Sequence, residues 1–251
     1  VCSSDLLGYS VENKKDINGH IVLGCSHIYS SNGEGLKYKL AKISNDKIQW
    51  RHKKPHLCYD DAYEFGKSIV NLFYESMNEL PKRVVIHKRT FYTDEEKQGI
   101  IDSISDNKKI ESIDLIEINF ENNIKYASSK IHDGKVDIDG FSVSRGTCIQ
   151  LSSKEALLWA HGVIPSVINP NWNFYPGGRY IPKPLRIIKH YGTGSLEQIA
   201  NEILGLTKMN WNSLNMYSQL PATISSSNDI ARIGKLIGAN SMHEYDYRYF
   251  I

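Results

Sequence analysis

A helix–strand–helix succession in the middle of the chain constrains the fold more than any other feature. Apolar residues recur at helical spacing from Asp60 to Met77, and Pro81 ends this run. The next segment, Arg83 to His87, is a short strand with an apolar centre, which is typical of a strand buried in a parallel sheet. Thr93 to Glu96 has the capping-box pattern and opens a second helix that extends to Ser103. The succession predicts a layered α/β domain.

Strand patterns on both sides of this unit complete the expected sheet. His20 to Ile28 is an apolar run, Leu36 to Ile43 alternates, and Ile48 to Lys53 follows a short turn, so we expect these three strands to form a meander. Ile113 to Phe120 supplies a further strand after the second helix. This order of strands and helices predicts an RNase H-like core, in which helices flank a mixed central sheet.

The C-terminal half carries further strands, two helices and a hairpin. The expected strands are Gly146 to Leu151, Glu155 to Ala160 and Leu185 to His190. The expected helices run from the capping box of Ser195 and Gln198 to about Thr207, and from Ser227 to Ile237. Asp133 to Gly140 resembles a calcium loop only faintly, because it lacks the ligand spacing and the closing glutamate, and it predicts a hairpin turn.

The composition limits the classes of function. The chain has 251 residues, of which 41% are hydrophobic, and this is enough for a core in one large domain or two small ones. The formal net charge is only +2, so nucleic-acid binding would depend on local basic patches. No apolar run reaches transmembrane length, so we expect no membrane partner. The widely spaced cysteines predict neither a zinc site nor a disulfide framework and fit a reducing cytoplasm; they are Cys2, Cys25, Cys58 and Cys148.

The first residues are expected to be non-native. Residues 1–6 do not begin with methionine, and they match the translation of a common sequencing-adapter end. We therefore expect that the natural protein continues upstream and that the domain itself spans residues 7–251. An intact reading frame that encodes the same residues at the locus would contradict this hypothesis.

Three groups of segments, taken in order, carry a resemblance to a known family. They are Leu80 to Thr90 (LPKRVVIHKRT), Arg145 to Thr147 (RGT) with Leu157 to Gly162 (LLWAHG), and, as the strongest group, Pro182 to His190 (PKPLRIIKH), Leu206 to Ser213 (LTKMNWNS) and Leu220 to Ile224 (LPATI). Together they make His20 to Ile251 resemble the PIWI domain of a short prokaryotic Argonaute. The MID domain that precedes PIWI in this family is missing, and the expected upstream truncation would explain its absence.

The resemblance implies a degenerate nuclease site. Active family members hold two divalent ions with acidic residues, because hard cations require oxygen ligands. The matching positions here carry Ser26 after the glycine of the first strand, Lys88 and Arg89 after the I-H strand, and Asn210 in the L-T-K-M-N segment. A hydroxyl replaces a carboxylate poorly, and cations at the second position repel metal ions. We therefore expect no nuclease activity from this chain.

The resemblance also assigns contacts with a guide–target duplex, which would be recognised by its shape while base pairing supplies the specificity. Cationic and amide side chains are the usual contacts to phosphate and sugar. The expected contacts are Lys88, Arg89, Arg145, Lys189, Lys208, Asn210, Asn212, Arg248 and Ile251. The final carboxylate of Ile251 would in addition help to hold Mg²⁺ at the pocket for the guide 5′-phosphate. A further basic run, Arg51 to Lys54, fits a phosphate contact and an ordinary solvated surface equally well.

The function implied by the resemblance is guide-dependent recognition in prokaryotic defence, in the cytoplasm. The guide would be RNA or DNA, and the target complementary DNA of an invader. The partner would be an APAZ-containing effector with a TIR or sirtuin-like domain, activated by target recognition. Two alternatives stay open: an active metal-dependent endonuclease that uses Asp60, Asp61 or Asp137, and an RNase H-like scaffold without a basic channel. We expect His87 and Trp211 to belong to the core.

Overall fold

A computed structural model describes residues 4–11, 20–28, 37–44, 48–127, 129–138, 143–164, 181–208, 219–234 and 243–246. The strands are β1 (Ser4–Val11), β2 (His20–Ile28), β3 (Lys37–Ser44), β4 (Gln49–Arg51), β5 (Lys54–His56), β6 (Arg83–Lys88), β7 (Ser112–Phe120), β8 (Ser129–His132), β9 (Lys135–Ile138), β10 (Cys148–Gln150), β11 (Glu155–Leu158), β12 (Leu185–Tyr191) and β13 (His243–Asp246). The helices are α1 (Tyr59–Met77), α2 (Asp94–Ser105), α3 (Leu196–Leu206) and α4 (Ala222–Gly234).

The chain divides into two compact units. The first comprises residues 1–117, 189–194 and 222–251, and the second comprises residues 118–188 and 195–221. In the first unit the strand order is β13-β3-β2-β1-β6-β7. Strands β1, β2 and β3 pair antiparallel, whereas β6 pairs parallel with both β1 and β7. This mixed sheet, flanked by helices, confirms the predicted α/β, RNase H-like arrangement.

The opening meander differs from the prediction by one strand. It begins with β1, so the expected first strand, His20 to Ile28, is the second. The expected third strand, Ile48 to Lys53, is instead interrupted by a turn at His52 and Lys53 and forms the separate hairpin of β4 and β5. Residues Ser4 to Leu6 pair in register with β6, although the sequence assigned them to a non-native segment. The origin of residues 1–6 stays a prediction.

Successive residues of β1 lie on opposite faces of the sheet in the first unit, and different helices pack against the two faces. Leu7 and Tyr9 belong to the buried core that also contains side chains of α1 and α2, and the Tyr9 ring lies 4.8 Å from that of Phe65. Gly8, which points to the opposite face, lies against the backbone of Thr223 in α4. The Ser227 hydroxyl of the same helix donates to the Gly8 carbonyl at 2.7 Å.

The second unit contains an antiparallel strand group, a hairpin and α3. Strand β11 pairs with β10 and with the start of β12, as the sequence predicted for β10 and β11. Strands β8 and β9 pair around a turn in which Asp133 and Gly134 have positive φ values of 50° and 74°. A hairpin is present, but its turn occupies only the first two residues of the predicted stretch, and Lys135–Ile138 form its second strand. The Ser195 hydroxyl accepts from the Gln198 amide at 3.1 Å and begins α3 as expected.

Most of the remaining elements follow the prediction closely. Helices α1 and α2 and strands β6 and β7 lie where the sequence places them, within one or two residues. Helix α4 begins at Ala222, earlier than the expected Ser227, and the residues Ala222 to Ile224 in its first turn are buried. None of the helices in the described ranges combines the length and the apolar character that a membrane crossing requires.

Candidate functional site

The C-terminal end of β6 is the position at which the sequence predicted a converted nuclease site. Strands β1, β6 and β7 are parallel, so their C-terminal ends lie at the same edge of the sheet, which is where ligands bind in open α/β sheets. Gly8 of β1 lies opposite His87, and Lys88 lies opposite Glu117 of β7. The chemistry of this edge therefore depends on Lys88 and the residue that follows it.

Lys88 lies inside the protein and not on its surface. Its side chain is 4% exposed, and its ammonium donates to the Glu96 carboxylate at 2.5 Å and lies 3.3 Å from Nδ1 of His56. The rings of Tyr9 and Tyr92 lie 5.2 and 5.3 Å from the ammonium. This geometry differs from the predicted phosphate contact, because a cation already neutralised within the core does not face a bound strand.

Glu96 is the centre of this buried network. Besides Lys88, its carboxylate accepts from the Tyr9 hydroxyl at 2.8 Å and from the Leu57 amide at 3.3 Å, and it lies 3.5 Å from His56. Burial would raise the pKa of the Glu96 carboxyl, but the Lys88 ammonium and the hydrogen bonds from His56, Lys88 and Tyr9 lower it to about 2. The Glu96 carboxylate is therefore ionised at neutral pH and faces the Lys88 ammonium within the core.

Arg89 leaves the strand next to Lys88 and is half-buried. Burial lowers the pKa of its guanidinium, which nevertheless remains protonated at neutral pH because arginine titrates far above it. Arg89 is thus the more exposed cation of the predicted pair. Its contact with a phosphate stays a prediction.

His87 belongs to the core, as predicted. It is fully buried, and its Nδ1 lies 2.9 Å from the Thr223 hydroxyl of α4. Burial, together with the positive charge of Arg83, lowers the pKa of His87 from 6.5 to about 3. The imidazole is therefore neutral at physiological pH and connects β6 to α4.

We expect His87 to make the fold sensitive to mild acid. The unfolded chain binds a proton below pH 6.5, whereas the folded chain does so only near pH 3, so stability falls as the pH decreases through this range. At pH 5 the loss is about 2 kcal/mol relative to pH 7. Urea unfolding of the native chain and of His87→Gln at both pH values measures it. An equal pH dependence in the two proteins would contradict the assignment to His87.

The position predicted for the first metal ligand moves with the corrected strand order. The family resemblance places this ligand just after the glycine of the first strand, and the segment Gly24-Cys25-Ser26 therefore gave Ser26. The first strand is β1, in which the corresponding segment, Gly8-Tyr9-Ser10, gives Ser10. Ser26 lies on β2, where its backbone pairs with Gly8. A serine stands at either position, so neither supplies a carboxylate.

The acidic residues of the nuclease alternative lie at the start of α1. Asp60 is exposed, and the Asp61 carboxylate accepts from the Cys58 thiol at 3.3 Å. Both lie in the first helical turn, where a negative charge favours the helix dipole. The side chain of Asp137 lies outside the described residues. Within the described ranges, no group of three or more His, Cys, Asp or Glu side chains is arranged to hold a metal ion.

Comparison with known proteins supports the fold. No family model and no curated protein matches the sequence. The chain is similar to Clostridium butyricum Argonaute bound to a guide DNA and a 19-mer target DNA, with a TM-score of 0.66 and 19% identity over 95% of this chain and 28% of that one. It is similar to A. aeolicus Argonaute, with a TM-score of 0.64 and 17% identity over 100% and 31% of the two chains. A structure of Aa-Ago with externally bound siRNA gives a TM-score of 0.64 and 18% identity over 99% and 30%.

The fold is Argonaute-like. The likeness covers nearly the whole chain, and it is consistent with the PIWI domain predicted from the sequence. The chain spans between 28% and 31% of the length of these Argonautes. At 17–19% identity the likeness is one of fold, so function must be argued from the residues themselves.

The other cations predicted to contact the duplex differ in their exposure and in their hydrogen bonds. Lys189 is half-buried, and its ammonium donates to the Gly194 carbonyl at 2.7 Å. In the second unit, Arg145 donates to the Thr207 hydroxyl at 2.6 Å and to the Leu204 carbonyl at 3.3 Å, so it closes the C-terminal end of α3. Lys208 is exposed directly after this helix and keeps its ammonium available to a phosphate.

Several predicted contacts lie outside the described residues, namely Asn210, Asn212, Arg248, Ile251 and the core residue Trp211. Their assignments stay predictions, including the Mg²⁺ contact of Ile251.

The residue that sequence reasoning missed is Glu96. The T-x-x-E pattern predicted a capping role, and the Thr93 hydroxyl does accept from the Glu96 amide at 3.2 Å. The Glu96 side chain, however, is buried in the core. The signal that could have revealed this is Lys88, a lysine that ends a strand with an apolar centre and would need a counter-charge if buried.

Proposed function

We propose that this chain binds a guide and its complementary target without cutting either strand. The observation that carries the proposal is the buried pair of Lys88 and Glu96 at the end of β6. An ammonium occupies the position predicted to face two divalent ions, and the nearby Glu96 carboxylate is already engaged by it. Two-metal cleavage depends on free carboxylates that clamp the attacking and leaving oxygens. Among the described residues, Glu96 is already engaged in the internal ion pair and does not supply one.

The Argonaute-like fold supports the binding half of the proposal. One similar structure is an Argonaute bound to a guide DNA and a target DNA, and another carries an externally bound siRNA. We propose that this chain contacts such a duplex through its backbone, with Arg89 and Lys208 among the described cations that reach it, and with RNA or DNA as guide. Specificity then comes from base pairing, and the protein contacts are indifferent to sequence.

We further propose that target recognition activates an effector in prokaryotic defence. A domain that binds without cutting can act through a partner whose conformational equilibrium the binding shifts. The partner is an APAZ-containing protein with a TIR or sirtuin-like domain that consumes NAD. A Mg²⁺ ion held near Ile251 at the guide 5′-phosphate belongs to the same proposal, as a binding element and not as a catalyst.

The proposal predicts guide-dependent binding with an intact target. The complete chain is mixed with a 5′-phosphorylated guide, a labelled complementary target, and Mg²⁺ or Mn²⁺. Gel shift should show retention of the target only when the guide matches, and denaturing gels should show full-length target. Asp60→Asn/Asp61→Asn is the matched control, which should behave like the native chain.

Two outcomes separate the parts of this proposal. Target cleavage that disappears in the Asp60→Asn/Asp61→Asn variant would show that the chain is a nuclease and that Lys88 is not decisive. Addition of the effector encoded beside the gene, with NAD followed by absorbance, tests the activation step. Unchanged NAD in the presence of matched target would refute activation while leaving guided binding intact.

A further inference from the structure

The hairpin of β4 and β5 carries a cluster of cations and one tryptophan at its end. We call residues 50–54 the hairpin tip. Residues 51–54 are exposed, and Trp50 is 43% exposed. Within the described part of the chain, no carboxylate pairs with Arg51, Lys53 or Lys54. The tip is therefore a local concentration of unneutralised positive charge on a chain whose formal net charge is only +2.

The turn at the tip has a costly backbone conformation. Arg51 and Lys54 are the last paired residues, so His52 and Lys53 alone form the turn, with φ values of 49° and 61°. Two consecutive left-handed residues define the type I′ turn, in which Asn-Gly is the favoured sequence. A histidine and a lysine adopt it at a conformational cost that Asn-Gly would avoid. Such local strain concentrates at functional positions.

The cross-strand pairing adds a second unfavourable interaction. Arg51 lies directly opposite Lys54, and like charges in this position destabilise a strand pair. A polyanion beside the tip would remove this repulsion. Strain and repulsion therefore coincide on the same four residues, and one kind of ligand relieves the electrostatic part.

The base of the hairpin holds the tip in a defined place. Pro55 and His56 are buried, and the His56 ring lies 4.5 Å from that of Phe91. The Gln49 amide donates to the Glu95 carboxylate of α2. The His52 ring at the tip also contacts Phe91, with ring centres 6.1 Å apart, so the tip lies beside the segment that begins with Arg89. A surface held in this way loses little entropy when it binds.

We propose that the hairpin tip binds the phosphate backbone of the guide–target duplex. Arg51, Lys53 and Lys54 contact consecutive phosphates, and Trp50 lies against a sugar or an exposed base. Cations with an adjacent aromatic side chain are the combination that proteins use to follow a nucleic-acid strand. The inference rests on the proposed function, because it names a surface through which that binding occurs.

The test removes the charges of the tip and measures the salt dependence of binding. In Arg51→Gln/Lys53→Gln/Lys54→Gln, affinity of the complete chain for a 5′-phosphorylated guide annealed to its complement should fall about 10- to 100-fold near physiological salt. The slope of log affinity against log salt should become shallower by about 2 to 3. Fluorescence anisotropy with a labelled target measures both quantities.

The matched control replaces three exposed lysines outside the hairpin tip, one just before the start of β6 and two just after the end of α2. Lys82→Gln/Lys108→Gln/Lys109→Gln makes the same change in net charge, and all three side chains are exposed. This variant should keep the native affinity and slope within about twofold, since non-specific attraction alone would weaken both variants equally. Thermal unfolding checks that neither variant has lost its fold.

A second variant separates function from structure. His52→Asn/Lys53→Gly introduces the favoured turn sequence, so it should raise the Tm and at the same time weaken binding severalfold. Higher stability with weaker binding supports the proposal. Unchanged affinity in the triple variant, or an equal loss in the lysine control, would overturn it while guided binding by the native chain stands.

Two further outcomes overturn the proposal. If the native chain binds no duplex at any salt concentration, the proposed function and the hairpin contact both fail. If a polyglutamate peptide binds the native chain and loses affinity in the triple variant while the duplex does not, the tip recognises an acidic protein instead.

Discussion

Glu96→Gln is expected to lower the free energy of unfolding by about 3–5 kcal/mol. The substitution keeps the size of the side chain but removes the charge that faces Lys88, whose ammonium lies 2.5 Å from the carboxylate and is buried. A buried ammonium without a counter-charge carries the desolvation cost of an isolated ion. Urea unfolding at pH 7, followed by circular dichroism, measures the difference.

A double variant identifies Lys88 as the cause. Lys88→Met/Glu96→Gln removes the cation as well, while glutamine still accepts from the Tyr9 hydroxyl and the Leu57 amide. Most of the lost stability should return, because buried ion pairs are often replaced by apolar contacts at little cost. Equal instability of the single and double variants would show that the hydrogen bonds of Glu96, and not its charge, hold this region together.

The same pair adds a second acid-sensitive range. The pKa of Glu96 is about 2 in the fold and 4.5 as the ordinary value, so its contribution is complete above pH 4.5 and is lost as the pH falls towards 2. As the pH is lowered, the loss of stability assigned to His87 begins near pH 6.5, before the loss assigned to Glu96. Between pH 6.5 and 4.5, therefore, the free energy of unfolding of Glu96→Gln should change with pH as it does in the native chain.

Gly8→Ala is expected to cost about 3 kcal/mol or more. A Cβ at this position would lie 2.6 Å from the carbonyl carbon and 2.9 Å from Cβ of Thr223, and closer still to the carbonyl oxygen. Two of these three atoms belong to the backbone of Thr223 and the third is its Cβ, so no side-chain rotation can make room. The substitution must push α4 from the sheet, which also disturbs the hydrogen bond from Ser227 to the Gly8 carbonyl. Thermal and urea unfolding measure the loss.

Gly205→Ala is the control for the glycine substitution. Gly205 lies near the end of α3, and a Cβ added to it would meet no heavy atom within 4 Å. Alanine is the better helix former, so this variant should be unchanged or more stable by up to about 1 kcal/mol. If both glycine variants lost stability equally, the close approach of α4 to β1 would not be the cause.

Strong periodic signals made the middle of the fold predictable. Helix α1 has a regular apolar face, β6 is short with an apolar centre, and Thr93 marks the start of α2, so local sequence and final structure agree. Strand β1 lacks such a signal. It contains Asp5 and Gly8, residue types that are depleted in strands, and its position comes from pairing with β6 far along the chain.

The direction of the site side chains could not be predicted. A parallel strand buried on both faces shows no alternation, so the sequence of β6 does not reveal whether Lys88 points inward or outward. The partner that decides this, Glu96, lies on another element and has a sufficient local explanation as part of a capping box. The turn at the tip of the β4–β5 hairpin could not be predicted for a different reason. Residues 51–54 contain no Gly, Asn or Asp, so the sequence gives no sign of a turn there.

The contact between Gly8 and Ser227 joins residues that are 219 positions apart. During synthesis, the central strand of the sheet therefore leaves the ribosome long before the helix that covers one of its faces exists. Until α4 is made, that face of β1 and β2 is exposed to chaperones and to other nascent chains. Contacts of such long range also slow folding, because the chain must close a large loop before the contact forms. Yield of folded protein in a cell should accordingly depend on chaperone supply more than on the stability that the finished domain attains.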